Sequence, residues 1–294
     1  MESGTLQIVH QVHDTASLER TGQSRRMTPH HSEVLAAEAD RAAKEGAYRD
    51  ASGATVRWGP LVAEAVTATR SIPPEEALPE PPAPRFGSTL VELTNETTLG
   101  AARRLTGLGL TPLALNYANG IHPGGGWLHG ARAQEEVLCR SSALEATLHG
   151  DPMYAAHLRR PEPDSTDWVI LSPGVPVFRT DDGAPLPEPW LLSVITSAAP
   201  VAYRVGQPRS GDLLASRIRR VLAVARAYGY TSLVLGAWGC GAFANDPGRT
   251  ASDFRAALTE FRGAFEHVVF AIPTEFGDDE NFVAFARAFP AGRI

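Results

Sequence analysis

Apolar residues along the chain fall into two kinds of run. Short continuous ones occupy residues 113–117, 168–171, 191–195, 232–235 and 268–272. Runs of four or five mostly apolar residues between turn-forming ones are the pattern of a strand buried on both faces. The longer runs have helical spacing. Leu213, Leu214, Ile218, Val221, Leu222 and Ala225 recur every three or four positions and predict a helix that Gly229 is placed to end. A second helix is expected over 252–265, and a third from about 134 to 148. Strands alternating with helices predict an α/β fold of three layers, α/β/α, with helices on both faces of a mostly parallel or mixed sheet.

The N-terminal part reads differently. Residues 23–50 are rich in Ala and in charged residues (Glu, Arg and Lys) with a thin apolar face, which predicts one or two helices. Residues 72–84 (IPPEEALPEPPAP) are too dense in proline for a helix or a central strand and read as a semi-rigid linker. The expected organisation is a helical extension and Pro-rich linker over 1–84, followed by the α/β domain over 85–294. Its position ahead of the linker suggests that the extension covers one side of a ligand site.

Composition narrows the ligand. With 294 residues and 43% hydrophobic content the chain can bury a sizeable core. Its formal net charge of -6 argues against the broad basic face that grips nucleic acid, so no direct nucleic-acid partner is expected. An anionic ligand would have to be held locally, by backbone N–H groups in Gly-rich loops. The opening sequence MESGTLQIVHQVHD lacks a basic stretch followed by an apolar one, and no apolar run is long enough for a bilayer. The expectation is a cytoplasmic monomer without membrane contact. Cys139 and Cys240 have no paired spacing, and His30, His31, His122 and His129 belong to no HExxH-like grouping. Neither a disulfide, a metal nor another cofactor is expected.

Two loops remain as candidates for chemistry, each after a strand run, where ligands of open α/β sheets sit. In the first, NYANGIHPGGGWLHGARAQEEVLCR, the glycines Gly124, Gly125 and Gly126 can adopt φ > 0 and turn N–H groups toward a phosphate. In the second, GAWGCGAFANDP, Gly236, Gly239 and Gly241 offer a similar loop at a neighbouring strand end. Two such loops suit a pyrophosphate. The second is no P-loop, because no Lys-Ser/Thr follows, and it does not fit GxGxxG, so kinase, GTPase and NAD-dehydrogenase readings fall away. Gln134, Glu135 and Glu136 open the helix after the first loop. Acidic residues there suit the helix dipole by themselves. Adjacent helical residues also point about 100° apart, so the two carboxylates can serve different atoms. Two neighbours cannot straddle a glycosidic bond as most glycosidase pairs do, so a single glutamate would have to act first as acid and then as base.

Together these segments resemble the bacterial type of poly(ADP-ribose) glycohydrolase, a branch of the macrodomain fold. The signature is GGG, six to eight residues, then QEE; here seven residues (WLHGARA) separate Gly126 from Gln134. NYAN at 116–119 and GAWGCGAF are similar to macrodomain strand-end and phosphate loops, and the resemblance runs from about Phe86 to the C-terminus. It implies a macrodomain-like mixed sheet, poly(ADP-ribose) and ADP-ribose as ligands, and poly-ADP-ribosylated proteins as partners. By the same resemblance Gly124 to Gly126 and the loop of Gly239, Cys240, Gly241, Ala242 and Phe243 hold the diphosphate. Asn119 and Glu135 bind the distal ribose, Glu136 is the acid/base, Phe243 orients the ribose and Gln134 supports the loop. Trp127 and Trp238 read as wall or core residues. Two other readings share the loops: a non-catalytic ADP-ribose reader, which has no use for a carboxylate pair, and a hydrolase of single ADP-ribose units on proteins. A scaffold that uses the Pro-rich segment as a partner ligand leaves both Gly loops unexplained.

Overall fold

A computed structural model describes residues 5–11, 27–274 and 279–293. In chain order its elements are β1 (Thr5–Gln11), α1 (Pro29–Glu45), β2 (Ala47–Arg49), β3 (Thr55–Arg57), α2 (Gly59–Ala68), β4 (Arg70–Ile72), β5 (Ser88–Thr94), α3 (Thr98–Gly107) and β6 (Pro112–Tyr117). Then follow α4 (Gln134–Ser141), α5 (Leu144–Leu148), α6 (Pro152–Leu158), β7 (Val169–Arg179), β8 (Pro185–Ser197), α7 (Ala202–Val205) and α8 (Arg209–Ala227). The chain continues through β9 (Ser232–Leu235), α9 (Pro247–Glu260), β10 (His267–Ala271), α10 (Asp279–Ala288) and β11 (Gly292–Arg293).

The five apolar runs become five neighbouring strands of one mixed sheet, ordered β11-β1-β5-β10-β9-β6-β8-β7-β4. From β1 to β8 the pairings are parallel, and β11, β7 and β4 pair antiparallel at the two ends. Both faces are buried. Leu113, Leu115, Leu233, Leu235, Val268 and Phe270 point into a core closed by α8, α9 and α10. The residues between them, Ala114, Val234 and Val269, face a second core filled from α1 to α6 by side chains such as Leu105, Leu138 and Met153. This period-two alternation between two covered faces explains why the strands read as unbroken apolar runs.

Three helix limits differ from the sequence pattern. The stretch 134–148 is broken at Ser142, which is extended (φ -146°) and bridges Val177 of β7. The helix expected from 252 begins at Pro247, because the Asp246 side chain accepts the Arg249 N–H at 2.6 Å as an N-cap, and it ends at Glu260. The helix over 213–225 is longer at both ends, as α8.

The N-terminal part is not a separate helical unit. Of the stretch 23–50, α1 is the one helix present and 47–49 form strand β2, while residues 23–26 lie outside the described residues and α2 follows beyond the stretch. The N-terminal part also supplies β1, which pairs with β5, and β4, which pairs with β7. Pairing with strands far along the chain leaves no local trace, so a short segment beside a helix could not be read as part of the sheet. Residues 73–84 form neither helix nor strand. They are strapped onto α8, where Arg220 donates to the Pro73 and Glu76 carbonyls at 2.9 and 3.0 Å, and Leu78 packs against the core.

Candidate active site

Gln134 fixes where α4 begins. Its Oε1 accepts the Tyr117 N–H at 3.0 Å, and its Nε2 donates to the Leu115 carbonyl at 2.7 Å and to Thr98 Oγ1 at 3.1 Å. The amide thereby ties the first turn of α4 to the carboxyl end of β6. Asn119, two residues beyond β6, turns the chain by accepting the N–H groups of Ile121 and His122 on Oδ1 at 2.9 and 3.0 Å. That turn leads into the glycine triplet.

Both glutamates are buried, Glu135 at 3% and Glu136 at 8% exposure. Glu135 accepts the Asn119 N–H on Oε2 at 2.7 Å and the Asn116 amide on Oε1 at 3.3 Å. Burial nevertheless pushes its carboxyl up to about 8; the Asn119 N–H works against that rise and the neighbouring Glu136 adds to it. The charged form of Glu135 is thereby disfavoured relative to a free carboxylate. Glu136 accepts the Gly126 N–H on Oε1 at 3.1 Å. Its Oε2 is buried and has no hydrogen-bond partner among the described residues. Such an orphan is costly unless something else meets it.

The glycine triplet serves these carboxylates. A Cβ on Gly125 (φ +60°) would lie 2.5 Å from Glu136 Oε1 and 3.0 Å from Glu135 Oε2, so both carboxylates close on the same backbone atom. The Gly126 N–H is taken by Glu136 and the Gly125 N–H by the His122 carbonyl at 3.0 Å, while the Gly124 N–H favours the charged form of Glu135. The expectation that this triplet presents its N–H groups to a diphosphate is corrected here. The donors face inward because the buried carboxylates need them more than water-exposed space does.

The second loop has donors to spare. Among the described residues, the N–H groups of Gly239, Gly241, Ala242 and Phe243 meet no acceptor, whereas those of Cys240, Ala244 and Asn245 donate to the carbonyls of Ala237, Gly241 and Gly239. Buried Asn245 braces the loop: it donates to the Pro200 and Gly239 carbonyls at 2.8 and 3.1 Å and accepts from Ser210 Oγ at 2.6 Å. Gly239 has φ +78°, and a Cβ there would lie 2.8 Å from Ala199 Cβ and 2.8 Å from Asn245 Nδ2. Burial pushes the Cys240 thiol up to about 12, which disfavours its thiolate form.

A cavity of about 240 Å³ lies between the two loops. Its wall brings together Asn119, Gln134, Glu135 and Glu136 with Gly239, Gly241, Ala242 and Phe243. Gly124, Gly125, Gly126 and Cys240 are not part of that wall. Trp127 and Trp238 are core residues, at 4% and 0% exposure. Sequence reasoning missed Asn116, whose amide orients Glu135, and Asn245, whose signal was its place between a Gly-rich loop and a helix cap. Behind the first loop stands α1: Arg132 donates to the Met27 carbonyl at 2.6 Å, and a Cβ on Gly130 would lie 2.7 Å from the Pro29 carbonyl oxygen. Among the described residues no group of His, Cys, Asp and Glu could hold a metal ion, and no helix is long and apolar enough to cross a membrane.

A family model for the catalytic domain of microbial-type PARG matches residues 36–180, which reaches well before Phe86. The chain is similar to the crystal structure of poly(ADP-ribose) glycohydrolase (PARG) from Thermomonospora curvata, with 44% identity and a TM-score of 0.81 over 88% of this chain and 100% of that one. The Thermomonospora protein bound to the inhibitor ADP-HPD gives the same values. The Deinococcus radiodurans PARG in complex with ADP-ribose is 42% identical, with a TM-score of 0.72 over 78% of this chain and 97% of that one. No curated protein matches.

Proposed function

The chain belongs to the microbial-type poly(ADP-ribose) glycohydrolase family and is a glycosidase, and on that premise we propose that Glu136 hydrolyses the ribose–ribose O-glycosidic bond of poly(ADP-ribose), acting first as acid and then as base. The observation that carries the assignment is the orphaned Glu136 Oε2, a buried carboxyl oxygen in the wall of the cavity that the unengaged N–H groups of the second loop also line. As acid, Glu136 gives its proton to the departing ribose 2′ oxygen while the C–O bond breaks. As base, it takes a proton from the water that attacks the oxocarbenium-like carbon, which returns the carboxyl to its starting state.

The other groups divide the ligand between them. The unengaged N–H groups from Gly239 to Phe243 form the seat for the diphosphate, and its negative charge helps offset the cationic transition state. Glu135 and the Asn119 side chain hold the distal ribose hydroxyls, with the half-buried Phe243 ring against the sugar. The glycine triplet acts through the carboxylates it positions. Two unpaired cysteines support a reducing, cytoplasmic setting, with poly-ADP-ribosylated proteins as the substrate class.

Product analysis tests the substrate class. Incubated with poly(ADP-ribose) and, separately, with a protein carrying single ADP-ribose units, the chain is expected to release free ADP-ribose from the polymer and to leave the last protein-linked unit in place. Release from the mono-modified protein alone would contradict the assignment.

A further inference from the structure

Loops that follow parallel strands line up along one edge of the sheet in the order of the strands, here β9, β6, β8. The loop with unengaged N–H groups follows β9, the carboxylates and Asn119 follow β6, and the segment after β8 carries α7. A terminal ADP-ribose with its diphosphate on the first and its distal ribose on the second has its scissile bond directed onward, toward the third. That segment touches the site. Ala199 forms part of the cavity wall, the Ala202 N–H donates to the Phe243 carbonyl at 2.8 Å, and a Cβ on Gly120 would lie 3.4 Å from Ala198 Cβ.

Two side chains on this segment have no role within the fold. Tyr203 is 70% exposed, more than any other large hydrophobic side chain among the described residues. Arg204 beside it is exposed and has no ion-pair or hydrogen-bond partner among the described residues. Nearby arginines are spoken for: Arg209 pairs with Glu162 and Asp164, and buried Arg217 donates to the Ala198 carbonyl at 2.9 Å. The backbone that carries Tyr203 and Arg204 is fixed, since the Val205 and Gly206 N–H groups close on the Val201 and Ala202 carbonyls at 2.9 and 2.8 Å. An exposed aromatic ring and an unpaired guanidinium thus sit four and five residues beyond Ala199 of the cavity wall.

We propose that Tyr203 and Arg204 form a subsite for the ADP-ribose unit on the leaving side of the scissile bond, with the Tyr203 ring stacked on its adenine and Arg204 on its diphosphate. The inference rests on the glycohydrolase reading above. Its chemistry follows from the polymer: the leaving oxygen belongs to an adenosine ribose, so the adenine of that unit is carried within one sugar of the cut bond. Every base has a π-face for an aromatic ring, and a diphosphate is matched by a guanidinium fork.

The test is a binding comparison in a Glu136→Gln background, with poly(ADP-ribose) oligomers and free ADP-ribose as the two probes. The oligomer is expected to bind more tightly than ADP-ribose. Adding Tyr203→Ala should weaken oligomer binding about ten-fold and leave ADP-ribose affinity unchanged, while Tyr203→Phe should retain it. Arg204→Ala should give a smaller, salt-dependent loss. Equal oligomer affinity with and without Tyr203→Ala, or an oligomer bound no more tightly than ADP-ribose, would overturn the subsite. Whether Glu136→Gln still releases ADP-ribose is read separately and bears only on the proposed function.

Discussion

The two Gly-rich loops stand at the carboxyl ends of adjacent strands, yet they are wired in opposite ways. In the loop after β6, N–H groups turn inward: Gly126 holds Glu136, Asn119 holds Glu135, and Gly125 is tied to the His122 carbonyl. In the loop after β9, the N–H groups of Gly239, Gly241, Ala242 and Phe243 are left over, while buried Asn245 keeps the backbone in place. A loop that spends its donors internally positions side chains. A loop that keeps them unspent is prepared for a ligand. Glycine is needed in both, for approach to a carboxylate in one and for a left-handed turn against Ala199 and Asn245 in the other.

Substitutions at the two loops should therefore separate chemistry from binding. The largest effect is expected at Gly125→Ala. Its methyl would sit 2.5 Å from Glu136 Oε1 at a backbone φ of +60°, so the carboxylates must move. A misplacement on this scale is expected to cost roughly 10²-fold in kcat, with a smaller loss of ADP-ribose affinity through the displaced Glu135, both measurable by steady-state kinetics and calorimetry. Next comes Gly239→Ala, which strains the ligand loop against Asn245. Here the loss should appear in ADP-ribose affinity, about ten-fold or ~1.4 kcal/mol, and in KM more than in kcat. The opposite pattern at either glycine would break the division of labour between the loops.

The smallest effect is a pH dependence of stability. Glu135 has a folded value of about 8 against 4.5 for the free side chain, so between these values the native state holds more of its proton than the unfolded chain does. The contribution is fully present below about pH 4.5 and is lost as pH rises through 8. Glu135→Gln removes this dependence. Its Tm relative to wild type should rise by about 2 °C or more between pH 5 and pH 8.5. A difference that stays constant across that range would mean that Glu135 is not held protonated.

Much of the fold was legible because a strand buried on both faces writes itself as an unbroken apolar run. The run at 232–235 coincides with β9, and the others fall on β6, β7, β8 and β10. β5 was hidden by its own chemistry. It carries buried Glu92, which pairs with Arg104 at 2.7 Å and lies 3.4 Å from His267, so its sequence STLVELT lacks the run. β1 and β4 depend on partners distant in sequence. At the site, the family resemblance named Asn119, Glu135, Glu136 and Phe243, and these four line one cavity. Spacing could not say which way the N–H groups of Gly124 to Gly126 point, because that is decided by where buried charge ends up. Nor could it show that α1 backs the first loop through Met27 and Pro29.

The central claim is that Glu136 makes and receives the proton while the rest of the site holds the ligand. The direct measurement is ADP-ribose release from poly(ADP-ribose) by wild type and by Glu136→Gln, with ADP-ribose affinity determined for both. The account predicts a loss of about 10²-fold or more in rate with affinity little changed, as for removal of an acid/base group. A variant that still cleaves at near the wild-type rate would contradict it.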